Sequence, residues 1–87
     1  MQSEMKKDIN SIILLLATQG MINLAEINDP VTNELKLNME GAEVFIELLE
    51  ELEVKTKGNL SVEEEGFLTD ILGNLKKVYD KKLGAGC

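Results

Sequence analysis

Residues 9 to 25, Ile9-Asn10-Ser11-Ile12-Ile13-Leu14-Leu15-Leu16-Ala17-Thr18-Gln19-Gly20-Met21-Ile22-Asn23-Leu24-Ala25, decide the reading of this chain. The stretch carries no charge and too many aliphatic residues for a loop. Placed on a helix, Ile9, Ile12, Ile13, Leu16, Gly20 and Leu24 share one face with Ile27 beyond them, while Leu15 and Ile22 project almost opposite, with Leu14 and Ala25 between. A first helix is predicted from about Glu4 to Ala25. A surface helix in a small domain shows a single apolar stripe, so this second patch needs its own cover. Either the helix is central to the fold or it also faces another copy of the protein.

Two further helical segments follow, separated by turn signals. Asn28-Asp29-Pro30-Val31-Thr32-Asn33-Glu34 is turn chemistry, because proline fixes φ and Asn and Asp bond locally to the backbone. Leu35 and Leu37 alternate with Lys36 and Asn38, which predicts a short extended connector that presses both leucines onto the core. Asn38 is suited to cap a second helix, with Glu40 and Glu43 near its positive end. Its stripe is Ala42, Phe45, Ile46, Leu48, Leu49 and Leu52, and Gly58 is placed to stop it as the residue after the cap. Ser61-Val62-Glu63-Glu64 matches a capping box opening a third helix, whose stripe is Phe67, Leu68, Ile71, Leu72, Leu75, Val78 and Tyr79. Gly41, Gly66 and Gly73 fall inside these two helices and read as tolerated exposed positions, the alternative being close helix contact. The expected architecture is an all-α, three-helix single domain over 1–83, with a flexible Gly-rich tail at 84–87.

Composition narrows the function classes. The chain has 87 residues, enough for one core, and only Phe45, Phe67 and Tyr79 are aromatic, so leucine and isoleucine must carry the packing. The nine cationic residues are all Lys, against 16 Asp plus Glu, for a net charge of −7. No basic stripe exists to neutralise phosphates and no Arg to read guanine edges, which argues against DNA or RNA as a partner. No apolar run reaches the ~18 residues a membrane span needs, since Thr18, Gln19, Gly20 and Asn23 interrupt the first helix. The apolar run from Ile12 to Ala17 behind Lys6 and Lys7 is too short for a signal peptide. With Cys87 as the single cysteine no internal disulfide forms, and a reducing cytoplasmic location is expected.

Chemistry-bearing groups are sparse. Without His, Arg or an internal Cys, the usual nucleophile, base and oxyanion donors are missing, so no enzyme, metal or cofactor is expected. Glu43, Glu47, Glu50 and Glu51 read as a solvated helix face rather than a cation site. Thr18 and Gln19 interrupt the most apolar helix. They lie either on a polar strip with Ser11 and Glu26 or, in the sharper reading, Gln19 hydrogen-bonds across a helix interface and fixes its register. Gly20, within the main apolar face, is either tolerated there or admits another helix backbone closely. Leu15, Gln19, Gly20 and Ile22 are therefore the candidate interface. The connector Lys55-Thr56-Lys57-Gly58-Asn59-Leu60-Ser61 combines local positive charge, a glycine and small donors, making Lys55, Lys57, Gly58, Asn59 and Ser61 a candidate anion site at a helix start. It lacks phosphate-loop spacing, and Glu63 to Glu65 would repel an anion.

Leu16-Ala17-Thr18-Gln19, Asp29-Pro30, and Lys55-Thr56-Lys57-Gly58-Asn59-Leu60 followed by Glu63-Glu64-Glu65 resemble a short bacterial family known as domain of unknown function 1844. The resemblance runs from about residue 9 to 79, with the Thr-Lys-Gly-Asn-Leu connector as its most specific part. It implies a compact helical bacterial protein and brings no activity, cofactor or catalytic residue. Gly41, Gly66, Gly73 and the Gly-rich tail depart from the pattern. The residues together point to a structural or protein-interaction module that forms a homodimer through the first helix, possible binding of another protein being left open. The alternative is a small-ligand or anion-binding regulator that uses the connector.

Overall fold

A computed structural model describes residues 8–85, and three helices follow in chain order: α1 (Ile9–Asn23), α2 (Met39–Lys55) and α3 (Val62–Ala85). The Asp8 side chain accepts the Ser11 N–H and so caps α1. The predicted start at Glu4 lies outside the described residues. Each helix packs against the other two, and each contributes to one aliphatic core: Ile13, Ala17 and Leu24 from α1 and its cap, Ala42, Ile46 and Leu49 from α2, Leu68, Leu72 and Leu75 from α3. Phe45, Phe67 and Tyr79 are only half-buried, so the aliphatic character expected of the core holds.

The end of α1 is set by geometry that the sequence concealed. Leu24 is the cap, the Ala25 N–H bonds Ile22 O at 3.1 Å, and the Glu26 N–H reaches back to Met21 O at 2.9 Å. These are the two bonds of a Schellman closure, which needs a left-handed residue, and Ala25 takes that conformation at φ 62°. Glycine normally fills this place, so its absence hid the stop and the predicted helix ran two residues too far. Beyond it Asp29 organises the turn: its carboxylate accepts the Val31 N–H at 2.8 Å and its N–H donates to Glu34 O.

The connector differs from expectation. Leu24 and Leu37 form a single antiparallel bridge, supported by Asn38 N–H to Asn23 O at 2.6 Å. Leu35 and Leu37 are 59% and 53% exposed, so neither leucine is pressed onto the core. The bridge is made by the backbone, and both side chains stay more than half exposed.

The remaining caps follow the sequence. Asn38 accepts the Gly41 N–H at 3.0 Å, and Ser61 and Glu64 exchange bonds of 2.9 and 3.1 Å in a complete capping box. α2 ends at Lys55 with Thr56 as its cap, so the left-handed Gly58 (φ 84°) lies two places past the cap where the sequence placed it one past. α3 continues through Gly84 and Ala85, while Gly86 and Cys87 lie outside the described residues.

Two glycines are structural. A Cβ on Gly20 would meet Leu75 Cδ2 at 3.1 Å, and one on Gly41 would meet Asn23 Oδ1 at 2.7 Å. Gly41 is thus a close contact between α2 and the end of α1, not the tolerated exposed position expected of it. Gly66 and Gly73 face open space, as predicted.

Candidate functional site

Packing between α1 and its two neighbours uses the side that carries Ile13, Ala17, Gly20 and Leu24. Leu15, Gln19 and Ile22 lie on the other side, and Ile12, expected on the main apolar face, is instead exposed and joins them, so that the four are spaced three, four and three residues apart, the seam spacing of helices that pair along their length. Leu15 is 62% and Ile12 48% exposed, whereas Gln19 and Ile22 are half-buried. On the neighbouring helix, Phe45 sits beside Gly20, and Val44 and Leu48 are exposed.

Polar groups along α1 are mostly turned inward upon the helix itself. The Thr18 hydroxyl donates to Leu14 O at 2.8 Å, and Asn23 Nδ2 donates to Gln19 O at 2.9 Å. No buried side-chain polar atom among the described residues lacks a partner. Of the four residues proposed as an interface, Leu15, Gln19 and Ile22 share the outer side. Gly20 does not, because it is buried between Leu75 and Phe45, and the close approach it permits is to the chain's own helices. Leu14 lies around the helix from Leu15 and borders an open apolar groove of about 240 Å³ between α1 and α3, lined also by Met21, Ile27 and Ile71. Sequence reasoning missed this groove, which depends on how far apart α1 and α3 are held.

The connector before α3 brings Lys55, Lys57, Gly58, Asn59 and Ser61 into one tight turn. Three of its donors are directed at the chain: Lys55 Nζ is 2.9 Å from Glu51, the Asn59 N–H bonds Thr56 O, and the Ser61 N–H bonds the Glu64 carboxylate. That carboxylate supplies a negative group at the start of α3, where the helix dipole favours one. On the far side of α2, Glu50 accepts from Lys76 at 2.7 Å, and this hydrogen bond holds the Lys76 ammonium above its ordinary pKa. Glu26 pairs with Lys82 at 3.0 Å across the α1–α3 end of the bundle. Among the described residues no group of acidic or cysteine side chains is arranged to hold a metal ion, and no helix is long and apolar enough to cross a membrane.

Fold and surface define a class: a small all-α protein of three helices whose first helix leaves an uncharged apolar side outward. The profile of the family described as "Domain of unknown function (DUF1844)" matches residues 6–81, and the chain belongs to that family. No curated protein and no solved structure matches it.

Proposed function

We propose that this chain is a self-associating structural or protein-interaction module, and that its work is binding rather than catalysis. The observation carrying this reading is that α1 contains no charged residue and yet leaves Ile12 and Leu15 in water. Exposed apolar residues scattered singly need no explanation, but Ile12 and Leu15 are followed at four- and three-residue spacing by the half-buried Gln19 and Ile22 on one side of a helix that carries no charge. The charge of the chain selects the occupant. Two copies, each at −7, repel over most of their surfaces, and the uncharged side of α1 is where they can meet without bringing carboxylates together. An 87-residue chain with half-buried aromatics also gains where it most needs apolar burial.

Light scattering coupled to size exclusion, under reducing conditions that prevent Cys87 cross-links, tests the proposal. A dimer that dissociates on dilution is expected. A monomer at every concentration up to the millimolar range overturns it.

A further inference from the structure

We infer that the pairing of two copies is governed by an electrostatic brake: the glutamates of α2 oppose the meeting of two α1 faces, so the pair tightens as ionic strength rises. This inference rests on the self-association proposed above and adds what regulates it.

Charge is divided unevenly among the helices. α1 has none, α2 sets six glutamates against Lys55 alone for a net −5, and α3 sets five acidic residues against four lysines for a net −1. The chain between α1 and α2 carries Glu26, Asp29 and Glu34 against Lys36, and the turn before α3 carries only Lys57. Glu4 and Asp8 balance Lys6 and Lys7 ahead of α1. Most of the net charge of −7 is therefore held by α2. That helix packs directly on α1, with Gly41 against Asn23 and Phe45 against Gly20. Glu51 pairs with Lys55 and Glu50 with Lys76, but the exposed Glu43 and Glu47 border the same cleft as Lys76, together with Asp80, and one lysine cannot balance them all.

Whichever way two α1 helices run when they meet, each α2 stays beside its own α1. The two acidic helices then lie about two helix diameters apart, roughly 20 Å. Neither finds a net-positive helix on the partner, since α1 is neutral and α3 is itself negative. Repulsion between two such helices survives in good part at ~10 mM salt, where the Debye length is about 30 Å, and little of it survives at ~150 mM, where that length is about 8 Å. The uncharged face supplies the attraction, and ionic strength sets how much of it is expressed.

Sedimentation equilibrium of the full chain under reducing conditions, in sodium chloride from ~10 to ~150 mM, measures the dissociation constant of the parent and of a Glu43→Gln/Glu47→Gln variant. The parent should tighten on the order of tenfold over this range. The variant removes two charges at exposed positions and leaves the ion pairs of Glu50 and Glu51 in place. It should associate more tightly than the parent at low salt and match it at high salt. A parent constant that stays flat or weakens with salt overturns the brake while leaving self-association standing. A variant that follows the parent curve throughout overturns the role of α2, because the salt effect would then be a general strengthening of apolar burial. A monomer at every salt concentration, up to millimolar protein, overturns the self-association itself.

Discussion

Leu15→Ala separates the surface of α1 from its core, and its effect can be worked from the exposure of one side chain. Complete burial of a leucine is worth about 1.5–3 kcal/mol. Leu15 remains 62% exposed in the single chain, so a partner that covers it recovers about 1–2 kcal/mol per copy. Both copies contribute in a two-fold pair, giving about 2–4 kcal/mol, or roughly a 30- to 1,000-fold change in the dissociation constant. Alanine keeps the first carbon, which places the expected weakening toward the lower figure. Within the single chain the side chain touches little, so unfolding free energy measured below the dissociation constant should shift by no more than ~0.5 kcal/mol. Sedimentation equilibrium over a dilution series measures the first quantity and urea denaturation the second. An unchanged dissociation constant refutes the assignment of this face. A loss of several kcal/mol in the monomer refutes the reasoning differently, since it would mean Leu15 belongs to the core.

Other perturbations test the fold that presents this face. Ala25→Gly should stabilise the chain by about 1 kcal/mol in urea denaturation, because glycine relieves the left-handed alanine of the α1 closure; a loss of stability would deny that geometry. Gly73→Ala should gain about 0.5–1 kcal/mol at an open helical position, whereas Gly41→Ala should lose about 1 kcal/mol by displacing Asn23 and the Asn38 cap. Equal gains at both sites would contradict the close contact of α2 with the end of α1. Glu50→Gln removes the negative charge from the acceptor that holds the pKa of Lys76 above its ordinary 10.5, and leaves only a neutral amide oxygen in its place. A raised lysine pKa stabilises the fold below the unfolded value and loses that contribution as pH climbs through the folded value. The variant should therefore be weaker than the parent near neutrality by less than about 1 kcal/mol, because both groups are solvent-exposed. The gap should close only above pH 10.5, and a gap that instead widens there would reverse the assignment.

Local chemistry was legible in the residues themselves. Asn38, the Ser61 and Glu64 box, the Asp29-Pro30 turn and the aliphatic stripes of α2 and α3 act over one turn of chain, where nearest neighbours determine the outcome. The absence of charge from α1 was equally plain, and so was the existence of two apolar sides on it. Family membership was visible in the connector and the flanking motifs, and residues 6–81 bear it out. That Ile12 stays wet beside Leu15 was not legible, because its burial depends on where α2 and α3 find room to pack. Gly41 looked like an exposed interruption until α1 brought Asn23 against it. Leu35 and Leu37 looked like core residues until the backbone bridge at Leu37 turned that segment outward. Periodicity fixes which residues can share a face, whereas the contacts of three helices at once decide which face is buried, since each burial is settled by atoms distant in the chain.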